Sequence, residues 1–109
     1  MSESPIFART YDLMLWLIPH TIKFPRSQRF VLGKAVNETL LAFQELLIEA
    51  TRSQKPIEKL RDADTQLQKL RFYLRLCHDL NLFTRGQYEH VTRLDVEVGK
   101  LLGGWMRKA

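Results

Sequence analysis

Two runs of apolar residues constrain this chain more than any other feature. Val36, Leu40, Phe43, Leu47 and Ala50 recur at alternating spacings of four and three, and Leu60, Ala63, Leu67, Leu70, Leu74 and Cys77 recur at three and four. An α-helix turns once in about 3.6 residues, so such spacing puts every member on one stripe. A half-buried strand needs alternation at two, and no stretch of the chain sustains it. The expectation is an all-α chain with long helices.

The boundaries follow from local chemistry. The first helix is expected over 5–18, with Ser4 as N-cap, Pro5 at the first helical position and Phe7, Tyr11, Met14 and Ile18 on one face. Pro19 is expected to end or kink it, because a proline ring clashes with the preceding turn. The second helix is expected over 25–53 and carries the first seam, with Leu41 and Ile48 beside it. The third is expected over 56–80, with Pro56 at its start and Phe72 and Leu76 as an offset apolar strip. The fourth is expected over 84–107. Its opening "TRGQ" is a capping-box pattern, and Val91, Leu94, Val98, Leu101 and Trp105 form its stripe.

The links "HTIKF", "QK" and "NLF" are short, and short links make neighbouring helices antiparallel. The expected architecture is one domain, residues 1–109, folded as an up-down-up-down antiparallel four-helix bundle. The side strips exceed what one bundle interior needs, and contiguous exposed apolar surface is uncommon on monomers. They are either the edge of a wide core stripe or a surface that buries against another copy.

Composition narrows the class. The chain has 109 residues, 45% of them hydrophobic and 27% charged, enough for a core without staples. Its single cysteine, Cys77, excludes an internal disulfide and fits a reducing compartment. The opening "MSESPIFARTYD" has no basic start or long apolar run, and the apolar run from Leu13 to Ile18 is too short to span a bilayer. A cytoplasmic protein without membrane association is expected.

No catalytic pattern emerges. "GKLLGGW" has glycines in the wrong order for a phosphate loop. His20, His78 and His90 lie on different segments and belong to no metal-binding spacing, and the Glu-x-x-His pairs of bundle di-iron sites do not occur. Cys77 continues an apolar seam and reads as a buried, inert thiol. Glu38, Glu45 and Glu49 share a face that reads as solvated, or as paired with a neighbour's cations, rather than as acid/base machinery. No enzyme, cofactor, metal or small-molecule substrate is expected.

The positive charge is clustered. The formal net charge is +5. Arg71, Arg75 and His78 follow i, i+4, i+7 spacing, with no acid between Asp64 and Asp79. Lys23, Arg26, Arg29 and Lys34 lie in the acid-free stretch between Asp12 and Glu38, and Lys100, Arg107 and Lys108 give the last helix a basic end. These read either as solvated helix faces or as a surface that tracks phosphates. In "KFPRSQRF", Phe24 and Phe30 are expected to plug the bundle end and the cations to face solvent. The two prolines of "PHTIKFP" argue against an interfacial membrane helix.

"KFPRSQRFVL", "LRFYLRL", "QYEH" and "EVGKLLGGW", in that order, resemble the accessory variability (Avd-like) proteins of diversity-generating retroelements. The wider group includes the four-helix-bundle proteins encoded in intervening sequences of bacterial large-subunit ribosomal RNA genes (S23-type), which share the KFP-x-x-x-RF-x-L element. The resemblance implies a four-helix bundle assembled into a homopentameric ring. It implies a non-enzymatic protein that binds the retroelement's reverse transcriptase and nucleic acid, RNA or DNA, in support of mutagenic reverse transcription. Arg71 and Arg75 fall where that family places basic residues important for association, with His78 on the same stripe. Arg26 and Arg29 belong to the shared element. The alternative is a stand-alone RNA-binding bundle of the ribosomal intervening-sequence type.

Overall fold

Proline at the first helical position costs nothing, because the N–H it lacks has no partner there. Pro5 and Pro56 open two of the helices in this way. In the computed structural model, which describes residues 4–109, these are α1 (Pro5–Ile22) and α3 (Pro56–Asp79). Helix α2 spans 26–51. A short turn, Arg26–Gln28, leads into a π-helical turn, Arg29–Gly33, and an α-helical body, Lys34–Thr51. Helix α4 is Arg85–Lys108. No strand occurs among the described residues. The first three residues of "MSESPIFARTYD" lie outside them.

The main helix contacts run α1–α2, α2–α3, α3–α4 and α4–α1. Phe7 of α1 meets Trp105 of α4, and Trp16 meets His90, so α1 and α4 run in opposite directions. The result is a four-helix bundle of 43 × 23 × 23 Å. Its centre is the two predicted seams: Val36, Leu40, Phe43, Leu47 and Ala50 of α2 against Leu60, Ala63, Leu67, Leu70, Leu74 and Cys77 of α3, all buried.

Three expectations are corrected. Pro19 does not end α1, which continues to Ile22. Pro19 is exposed, so the backbone bond it cannot make is lost on the solvent side, where water can replace it. The buried stripe of α1 is Ile6, Thr10, Leu13, Leu17 and Thr21, not the predicted face. Tyr11 is exposed, and Phe7, Met14 and Ile18 form a half-buried shoulder. Two threonines therefore hold core positions. The Thr21 hydroxyl donates to the Ile18 carbonyl at 2.9 Å and accepts from the Asn37 amide at 3.0 Å, tying α1 to α2. Lastly, Phe24 is buried as expected, but Phe30 is 66% exposed. The π turn inserts an extra residue, so Phe30 and Val31 face outward and Leu32 and Gly33 face inward.

After the last connection, the start of α4 is closed by side chains and backbone together. The Thr84 hydroxyl accepts from the Gln87 N–H at 3.1 Å, and the Gln87 side chain accepts from the Thr84 N–H at 2.9 Å, the capping box expected of "TRGQ". Ser4, by contrast, accepts the first N–H groups of α1 through its carbonyl, with no hydroxyl cap.

Candidate functional site

Helix α4 buries Val91, Asp95, Val98 and Leu102, a stripe rotated from the predicted one. Leu94, Leu101 and Trp105 are only partly buried. One member of the true stripe is an acid. An ionised carboxylate taken out of water needs a partner, since its desolvation costs several kcal/mol in a protein interior (roughly). The partner is Arg71 of α3, whose Nε donates to Asp95 Oδ1 at 3.0 Å and Oδ2 at 2.9 Å. The Asp95 side chain is 6% exposed and that of Arg71 35%. Burial pushes the Asp95 carboxyl above the usual range, while the charge of Arg71 and its hydrogen bond pull the other way.

Gly99, one turn beyond Asp95, gives the guanidinium its room. A Cβ there would overlap an Arg71 terminal nitrogen. Around this pair lies an open groove of about 580 Å³ between α3 and α4. Arg71 and Arg75 enter it from α3, and Tyr88, Thr92 and Lys100 from α4. The Tyr88 ring stacks on His78 at 4.2 Å with 5° between the planes, so His78 is a half-buried wall of the bundle and not a free member of a cationic stripe. Its Nδ1 is buried with no hydrogen-bond partner.

The chemistry such a groove offers is recognition of anions. Arg75 and Lys100 are exposed, and the one acid on the floor is already paired. Guanidinium groups suit phosphate and carboxylate oxygens, which they meet in a planar fork. Cys77 lies in the core, and burial pushes its thiol up to about 11, so it is mostly protonated at neutral pH. No group of three His, Cys, Asp or Glu side chains able to hold a metal occurs among the described residues.

Comparison with known proteins decides the family. The bAvd-like family model matches residues 6–109. The chain belongs to the bAvd-like family. Among solved structures, it is similar to a protein of unknown function from the S23 ribosomal protein family of Bacteroides thetaiotaomicron. The two share 20% identity and a TM-score of 0.81, over 93% of this chain and 97% of that one. At that identity the likeness carries the fold. Comparison with proteins of curated function gives no match.

In this bAvd-like chain the five cationic or ionisable positions singled out from sequence separate into two places. Arg71 and Arg75 share the groove, with His78 behind it. Arg26 and Arg29 are exposed at the end of the bundle, where Phe24 packs on Phe83, and they do not line the groove. The Nε of Arg29 lies 3.4 Å from the Phe24 carbonyl, a long bond that points to a local structural role. Lys100, assigned from sequence to a basic helix end, belongs to the groove instead. Asp95 and Gly99 went unnoticed in the sequence. Their signal was a lone acid at 4-3-4 spacing with Val91, Val98 and Leu102, with glycine one turn on.

No helix among the described residues is long and apolar enough to cross a membrane.

Proposed function

We propose that this chain is a non-enzymatic accessory protein of a diversity-generating retroelement. It binds the element's reverse transcriptase and its nucleic acid through a basic surface, and it supports mutagenic reverse transcription as a homopentamer. The observation that carries this reading is membership of the bAvd-like family across 6–109. The groove between α3 and α4 supplies the surface: Arg75 and Lys100 are exposed cations that line it with the paired Arg71, and no unpaired acid lines it. Repetition of this groove around a ring would multiply weak contacts into useful affinity.

The test is co-purification with a retroelement reverse transcriptase. Arg71 is a poor target, because reversing it strands the buried Asp95. The variant of choice is Arg75→Glu with Lys100→Glu, both at exposed positions. Loss of co-purification with an unchanged helical circular-dichroism spectrum is the expected result. Retained capture of the reverse transcriptase overturns the groove as its docking surface. RNA binding that persists at moderate salt without any reverse transcriptase partner favours the stand-alone RNA-binding reading.

A further inference from the structure

An acid on the floor of a basic groove needs a reason. A surface built only to gather positive charge loses by it, since Asp95 cancels one of the three cations around the groove. Position 95 lies in a stripe whose neighbours are Val91 and Val98. A valine or leucine there would seal the core and leave Arg71 unneutralised. The geometry of the pair suggests what the acid does. Both hydrogen bonds come from Nε, the inner nitrogen of the guanidinium, so the carboxylate holds the group by its base and leaves the terminal nitrogens to other acceptors. The second constraint comes from Gly99. Only a residue without a Cβ lets a terminal nitrogen of Arg71 lie against α4 at that point. A guanidinium held at Nε and seated beside Gly99 loses less freedom when it binds than an arginine loose in solvent. Arg75, one helical turn along α3, and Lys100, the residue after Gly99 on α4, flank the same groove.

We infer that Asp95 is a positioning residue: it holds the Arg71 guanidinium, in the space Gly99 leaves, as a fixed donor to a backbone phosphate of nucleic acid lying in the α3–α4 groove. The inference rests on the reading of that groove as a nucleic-acid surface. Phosphate is the favoured ligand because the terminal nitrogens, Arg75 and Lys100 are all donors, and tetrahedral phosphate oxygens can accept from several directions at once.

The role gives Asp95→Asn an unusual sign. The change removes a negative charge, so a surface governed by net charge alone would bind RNA more tightly. A positioned arginine predicts the reverse. The measurement is fluorescence anisotropy of a short labelled single-stranded RNA with the full chain, titrated with salt. Wild type and Arg75→Glu are read first. If they bind alike, the groove is not a nucleic-acid surface, and the inference falls with that reading. If wild type binds and Arg75→Glu weakens it, Asp95→Asn is expected to bind about tenfold more weakly, as for one lost charge-assisted contact. Its dependence of log K on log salt should be shallower by about one phosphate contact. Gly99→Ala guards against a folding artefact, since it alters no charge and replaces glycine inside a helix by a better helix former. Displacing the Arg71 nitrogen offsets part of that gain, so the variant should keep the wild-type helical spectrum yet lose binding to a similar degree. Should Asp95→Asn fail to fold, Gly99→Ala decides. Either folded variant binding RNA as tightly as wild type overturns the positioning role.

Discussion

Phe24 sets its ring edge-on to Phe83, with centroids 5.5 Å apart, and both are buried. Phe30 lies six residues further on and is 66% exposed. Truncation should therefore separate them. Phe24→Ala is expected to cost about 3–5 kcal/mol, the usual range for a buried aromatic, and Phe30→Ala within about 0.5 kcal/mol of nothing. Urea denaturation of the two variants measures this, and equal losses would mean that the π turn does not separate their environments. Cys77 offers a test by pH. Burial pushes its thiol in the folded chain up to about 11, above the ordinary thiol value of 9.0. Between those values the unfolded chain releases the proton first, so stability should fall as pH rises from 9 toward 11 and be flat on this account below 9. Cys77→Ala should remove that part of the slope in denaturant titrations across the same window. Residue identity made these two sites unequal to read. A cysteine on an apolar seam declares itself, whereas the phase shift that exposes Phe30 depends on a π turn with no pattern in the letters. Thr10, Thr21 and Asp95 were hidden for a related reason. The partners that let Thr21 and Asp95 enter the core come from other helices, and the Thr10 hydroxyl is buried with no partner at all among the described residues.

At the scale of the element, the ends carry as much information as the faces. Helix α3 closes with Leu80 and then Asn81, whose φ is 63°, the left-handed region. The Asn81 N–H donates to the His78 carbonyl at 3.0 Å and the Leu82 N–H to the Cys77 carbonyl at 2.8 Å. This double closure is the Schellman arrangement, which satisfies carbonyls that the last helical turn would otherwise leave open. Asparagine tolerates that backbone, and a β-branched residue does not. Asn81→Val is expected to destabilise the fold by about 1–2 kcal/mol, while Asn81→Gly should leave it unchanged or firmer. Thermal melts of the pair check this, and a Val variant as stable as wild type would show that the turn relaxes freely. The body of α2 from Lys34 onward and all of α3 were legible because every buried position on them is apolar and evenly spaced, apart from Thr39. The start of α4 was legible from its capping box. The end of α1 was not, since Pro19 lies on the exposed face, where water can take the carbonyl that its missing N–H leaves open.

For the whole molecule, the unassigned surface is the apolar one. Leu41 and Ile48 of α2, and Phe72 and Leu76 of α3, are exposed in the single chain, Phe72 by 69%. They are the offset strips that the spacing pattern already showed as surplus to one bundle's interior. Phe72 and Leu76 share a shallow depression with Arg75 and Asp79, so apolar and charged contacts are available side by side. Such a face resembles the apolar centre and polar rim of protein interfaces more than a solvated helix surface. If the chain assembles as its family reading implies, five copies of 12.9 kDa give about 64.5 kDa by light scattering behind a sizing column. Phe72→Ser with Leu76→Ser should then lower that mass while leaving the helical spectrum intact, because neither side chain belongs to the buried core. A wild-type mass of 12.9 kDa would remove the ring and with it the multivalency on which weak single-groove contacts depend. A pentamer unaffected by the double serine variant would move the contact surface to another strip, leaving α2 with Leu41 and Ile48 as the next face to test.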